Sequence, residues 1–277
     1  MKTFLLPTDF SDNAAHAVRY ALSLNLKIKA RVVLFHSYVI PVYGTDIPIV
    51  VPQDTELRKA SEEALQKLRS QLVQEFPETE FSIDIQSGYP EEEIVAAAGS
   101  HKADMIIMGT QGASGFREAL VGTITAEVMK HAPCPVMAVP ASSLFKSFKK
   151  IVFATNYTEG DFLYVEQVLE FARPFGAELI LLHISSGEFE RAIEYDAIER
   201  FKERIKEDSR YKNVQFKLLE SRDIYQGLNL YLEEIQADLV AMTMRKRSFI
   251  QKIFQRSVTQ KMAYHSHIPL IAFRAAG

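Results

Sequence analysis

Residues 103–115 read Ala103-Asp104-Met105-Ile106-Ile107-Met108-Gly109-Thr110-Gln111-Gly112-Ala113-Ser114-Gly115, and Gly122-Thr123 then opens a helical pattern that runs to His131. Met105–Met108 is wholly apolar, without the alternation of a strand that has one wet face. Such a run suits a parallel strand covered by helices on both sides. A glycine-rich passage from that strand into a helix belongs to a sheet assembled from βαβ units.

Working outward, the same alternation continues in both directions. Thr3–Pro7, Arg31–Tyr38, Phe81–Gln86 and Val136–Val139 are β-branched and apolar, as strands are. Ser11 is placed to cap a helix carrying Ala14, Ala17, Val18, Ala21 and Leu22 on one face. Leu57, Ala60, Ala64, Leu65, Leu68 and Leu72 fall at helical spacing within Glu56–Phe76, and Glu91–Ser100 and Thr123–His131 read as two further helices. The order is β-α-β-α-β-α-β-α-β, with right-handed crossovers and hence a doubly wound parallel sheet.

That unit occurs twice. A shift of 147 lays Phe4–His36 on Ile151–His183 without a gap, placing Thr8 on Thr155, Val18 on Val165 and His36 on His183. Further on the shift becomes 134, with Ala103–Met108 over Ala237–Met242 and Pro135 over Pro269. The difference comes from extra residues near the proline-bearing stretch Ile40–Gln53. Two domains are therefore expected, 1–140 and 149–277, joined by a linker over 141–148.

Composition narrows the function. The chain has 277 residues, is 47% hydrophobic and 24% charged, and carries a net charge of −3. Those values exclude a disordered or collagen-like chain and offer no overall field for nucleic acid. Charge is uneven: residues 1–140 hold 12 basic against 17 acidic side chains, the remainder 20 against 18. Cys134 is the only cysteine, so neither an internal disulfide nor a multi-cysteine metal site can form. With no apolar run of membrane-spanning length, a cytoplasmic protein is expected, with no membrane or nucleic-acid partner.

In open α/β sheets, ligands bind beyond the C-terminal strand ends, where the strand order reverses. Pro7-Thr8-Asp9 leaves the first strand there, and the Gly109–Gly115 segment leaves the fourth. Glycines let backbone N–H groups approach an anion, and a helix opening at Thr123 adds unpaired N–H donors and a hydroxyl. Phosphate is the chemistry such a site suits. No G-x-x-x-x-G-K-[ST] is present, the G-x-x-G-x-x-G spacing is not that of a dinucleotide fold, and no catalytic triad, carboxylate pair or H-E-x-x-H stands at recognisable spacing.

Gly109-x2-Gly112-x9-Gly122-Thr123 resembles the G-x2-G-x9-G-[ST] nucleotide motif of universal stress proteins. Pro7–Ser11, Leu34-Phe35-His36 and His131–Val136 resemble the family's flanking segments. The whole looks like a tandem universal stress protein. The resemblance implies a Rossmann-like sheet ordered 3-2-1-4-5 in each half, binding ATP or another adenine nucleotide, with or without Mg²⁺. Pro7, Thr8 and Asp9 would line adenine and ribose, and Ser37 would offer its backbone to the adenine edge. Gly109, Thr110, Gln111, Gly112, Ala113, Ser114 and Gly115 would wrap the phosphates, with Gly122, Thr123, Ile124 and Thr125 completing the cradle.

The second half keeps the pattern and loses the motif. Gly109, Gly112 and Gly122 correspond to Thr243, Lys246 and Arg256, Thr123 to Ser257, Pro7 to Ala154 and Asp9 to Asn156. Side chains now fill space beside the backbone, so ATP is expected in the first half only. Each feature also has a plain alternative. The glycine segment could be an ordinary βα turn, Asp9 a helix cap, His36 and His183 structural, Cys134 a packing residue, and the basic run from Arg245 a solvated surface or a site for an acidic or phosphorylated ligand. The expected function is a regulatory nucleotide binder with a protein partner. A slow ATP hydrolase and a nucleotide-independent adaptor are the alternatives. The resemblance further implies that the closing strands Val136–Val139 and Leu270–Phe273, both short and apolar, pair within the chain as a pseudo-dimer, with any homodimer formed through a separate surface.

Overall fold

The computed structural model describes residues 1–40, 54–110, 123–185, 191–208, 212–244 and 267–274. It divides into two compact units that change over between Ala141 and Ser142. In the first, strands β1 (Thr3–Pro7), β2 (Arg31–Tyr38), β3 (Phe81–Ser87), β4 (Met105–Gly109) and β5 (Val136–Val139) stand in the order β3-β2-β1-β4-β5. The pairs within this unit are all parallel. Helices α1 (Asp12–Ile28), α2 (Asp54–Glu75), α3 (Pro90–Ser100) and α4 (Thr123–His131) connect them. Both faces of the central strands are covered, and β1 and β5 are buried along their whole length.

The second unit repeats the plan with β6 (Lys150–Ala154), β7 (Glu178–Ser185), β8 (Val214–Glu220), β9 (Leu239–Met244) and β10 (Leu270–Arg274), in the order β8-β7-β6-β9-β10. Its pairs are again parallel. Helices α5 (Glu159–Ala172), α6 (Arg191–Asp208) and α7 (Ile224–Glu234) are described here. Each half is thus a doubly wound α/β sheet of strand order 3-2-1-4-5.

The repeat extends to details that sequence identity does not show. Thr3 pairs with Arg31 as Lys150 pairs with Glu178, the same register moved by 147. Left-handed backbone recurs at matching positions: Phe10 (φ 62°) and Tyr157 (53°), Lys29 (58°) and Gly176 (62°), Lys102 (50°) and Gln236 (53°). At Gly176 the residue is the one without a Cβ penalty; Lys29 takes the same left-handed helix end at some cost. Carboxylates pin the two sheets alike. Asp104 Oδ2 accepts from Thr3 N (2.7 Å), and Asp238 Oδ2 accepts from Lys149 N (2.7 Å) and Lys150 N (2.9 Å).

Ser11 caps α1, its Oγ accepting from Ala14 N at 3.2 Å, and Ala14, Ala17, Val18, Ala21 and Leu22 are buried as their spacing predicts. Helix α2 departs from expectation. It buries Ser61, Leu65 and Leu72, while Ala60 is exposed and Leu57, Ala64 and Leu68 are only half-buried. The buried stripe therefore runs 61-65-72, rotated by a residue from the apolar one, and admits a serine. The 141–148 stretch is packed and not a loose tether. Phe148 is 2% exposed and lies against Phe171 and Phe175, and Ser143 Oγ donates to His267 O (2.7 Å). Among the described residues, no helix is long and apolar enough to cross a membrane.

Candidate functional site

The chain reverses direction across the sheet between β1 and β4, so their C-terminal ends flank a crevice. Pro7 closes β1 and is buried, and Thr8 follows it, also buried, with its N–H donating to Phe35 O (2.9 Å). The Thr8 hydroxyl accepts from Phe10 N (3.0 Å), which holds the turn in which Phe10 takes its positive φ. Asp9 is exposed at the mouth, and its Oδ1 accepts from Ser11 N (3.0 Å) and Ser11 Oγ (2.6 Å). Ser37 lies near the end of β2, half-buried, in register with Gln86.

His36 has a structural task. Its Nδ1 lies 2.8 Å from the Thr8 carbonyl, and His183 Nδ1 lies 2.8 Å from the Thr155 carbonyl. A carbonyl only accepts, so Nδ1 carries the proton in both rings. The repeated histidines lock the turns after β1 and β6 onto the neighbouring strands. Phe10, inside the Pro7–Ser11 segment, packs its ring on His36 with centroids 4.5 Å apart and stays 39% exposed beside the crevice.

On the other wall, β4 ends at Gly109, and Thr110 is buried with its N–H donating to Val139 O (3.1 Å). Thr123 and Ile124 are exposed in the first turn of α4. Thr125 is buried, and its Oγ1 donates to Gly109 O at 2.8 Å. That bond bolts the first turn of α4 to the end of β4. The Thr125 hydroxyl is thereby engaged with backbone, so its contribution to a cradle is to position the helix terminus. Gln111, Gly112, Ala113, Ser114, Gly115 and Gly122 lie outside the described residues, as do Lys246, Arg256, Ser257 and the basic run from Arg245.

The matching crevice of the second unit is built differently. Asp161 stands in α5 where α1 has Ala14, and its side chain turns inward, 2% exposed. Its Oδ2 accepts from Thr155 Oγ1 (3.0 Å), Thr158 Oγ1 (3.1 Å), Asn156 N (3.3 Å) and Thr158 N (3.3 Å), and Oδ1 accepts from Thr243 Oγ1 (3.1 Å). One carboxylate thus ties the end of β6 to β9. At 3.0–3.3 Å the individual bonds are long, and the hold comes from five donors converging on one buried side chain. Two signals in the sequence point to Asp161: Thr158-x-x-Asp161 is the spacing of a capping box, and the acid stands over an alanine on an otherwise apolar helix face.

Two further groups shift in ionisation because they are buried. Cys134 is half-buried, and the desolvation this brings pushes its thiol up to about 12. The Tyr157 phenol is raised by burial too, and its hydroxyl donates to Leu181 O (2.8 Å).

The model of the universal stress protein family matches residues 1–140 and again 147–274. The chain belongs to the universal stress protein family. A universal stress protein of Methanocaldococcus jannaschii is 30% identical over 147 residues, covering 50% of this chain and 81% of that protein. One from Thermus aquaticus is 32% identical over 139 residues, covering 50% and 98%. A solved universal stress protein from Archaeoglobus fulgidus superposes along 99% of this chain and 96% of its own with a TM-score of 0.72 at 20% identity, a likeness of fold. The molecule is therefore a tandem of two universal stress protein domains.

Proposed function

We propose that the first domain, residues 1–140, binds ATP or another adenine nucleotide, with or without Mg²⁺, and that its occupancy governs binding to a protein partner. The second domain, 149–277, binds no nucleotide in this pose. The observation that carries the reading is the contrast between the two crevices. Where the second is tied shut by Asp161 and Thr243, the first has Ala14 and Gly109, with the N-terminus of α4 held at the strand end by Thr125. A helix N-terminus at that place favours negative charge.

In the bound state, Pro7, Thr8 and Asp9 meet the adenine and ribose, with Asp9 accepting from a sugar hydroxyl or the adenine amine. The Ser37 backbone serves the adenine edge. The segment 109–115 with Gly122, Thr123 and Ile124 wraps the phosphates. ATP supplies the charge that this cradle is built to hold; the residues of the chain bind and orient it.

The test is chemical analysis of whatever small molecule leaves the purified protein on acid denaturation, for wild type and Gly112→Val. A β-branched side chain at 112 intrudes where backbone N–H groups meet phosphate and resists positive φ. An adenine nucleotide released by wild type and reduced more than about tenfold in the natively folded variant is expected. Release of no nucleotide by wild type, together with no binding on addition of ATP, would overturn the reading.

A further inference from the structure

We propose that the second domain carries a separate binding site, between the turn joining β6 to α5 and the helix α6, for a small organic phosphate with an aromatic body. A half-open cavity of about 570 Å³ lies there, lined by Tyr157, Thr158, Ala197, Arg200, Phe201 and Arg204. That volume falls among cavities that take small molecules. The wall is of two kinds. Tyr157 and Phe201 are buried aromatic rings with centroids 5.4 Å apart, and Arg200 and Arg204 stand one helical turn apart on the same face of α6.

The aromatic wall is fixed in advance. Tyr157 sits at positive φ in the turn held by Thr155 Oγ1, which accepts from Tyr157 N (2.9 Å), and its own hydroxyl is anchored on Leu181 O. The Asp161 network sets Thr155 and Thr158 on either side of it. Little ordering of this wall remains to be done on binding.

The two guanidiniums supply the charge. Arg204 lies over the Phe162 ring, 3.8 Å from its centroid, a stacking that fixes the plane of the fork. Arg200 is paired with Asp196 at 2.7 Å, with both side chains about two-thirds exposed. An exposed pair of this kind is weak, and a phosphate dianion that meets both arginines can displace Asp196 from Arg200. Planar forks suit phosphate oxygens, and the rings suit a planar apolar body.

The feature belongs to this domain alone. Leu179 pairs with Val214 as Val32 pairs with Phe81, and each helix ends the same distance before its strand. On that alignment Arg200, Phe201 and Arg204 correspond to Lys67, Leu68 and Gln71. The first domain therefore has neither the pair of forks nor the second ring. Asp161 closes the switch-point crevice of the second domain, and the opening it retains lies on the α6 side of Thr158.

The test titrates phenyl phosphate into the full chain, followed by protein-observed NMR, with inorganic phosphate and phenol as controls. Phenyl phosphate is expected to bind at least about tenfold more tightly than either control. The Arg200→Gln/Arg204→Gln variant, natively folded by circular dichroism, is expected to lose that preference. Arg204→Lys, which keeps the charge without the planar fork, should bind at an intermediate level. The proposal is overturned if phenyl phosphate binds no better than inorganic phosphate or phenol, or if the double glutamine variant binds it as wild type does.

Discussion

Ala14 and Asp161 hold equivalent positions, and of a methyl group and a carboxylate only the second can tie the strand ends of its domain together. Asp161→Ala leaves the hydroxyls of Thr155 and Thr243 without their acceptor in a buried setting. A loss of about 2–4 kcal/mol in stability follows from orphaning such groups, read from urea unfolding of the full chain. A change within experimental error would mean that the network closes nothing. Cys134 gives a pH test. Its pKa is raised in the folded state, so the native protein keeps a proton that the unfolded chain gives up. The stabilisation is complete below the ordinary thiol value, about 8.5, and is lost as pH climbs through about 12. At pH 8 the native thiol should react with a disulfide reagent far more slowly than in denaturant; equal rates would contradict its burial.

At the scale of elements, β4, Gly109 and α4 act together because Thr125 joins them. Thr125→Val keeps the shape and deletes the bond to Gly109. About 1 kcal/mol of stability should be lost, with nucleotide affinity falling several-fold as the helix terminus loosens. Affinity unchanged would show that α4 takes no part in the site. The elements themselves were legible because parallel strands buried on both faces leave continuous apolar runs, as in Met105–Met108 and Val136–Val139. Helix α2 was legible as a helix, but its buried face was not, because Ala60 and Leu57 continue the apolar stripe over turns that stay largely in solvent. That Pro7, Thr8 and Gly109 stand at strand ends was legible, because the apolar runs before them mark where β1 and β4 stop. The packing of Phe10 on His36 and the reach of Asp161 across to Thr243 were not, since each is a tertiary contact that no local pattern encodes.

Across the whole molecule, one fold is used twice with opposite treatment of the same crevice. Shared registers, shared positive-φ positions and shared pinning carboxylates show that the scaffold is kept in both halves. If β5 and β10 pair within one chain, a fragment of residues 1–143 should self-associate or lose stability in sedimentation and unfolding experiments. A strictly monomeric fragment of native stability would contradict that pairing. The asymmetry between the two crevices is tested most directly by calorimetric titration of ATP into the nucleotide-free full chain. A single site per chain, abolished by Gly112→Val and left in place by Asp161→Ala, is the predicted result; two equivalent sites, or none, would contradict it.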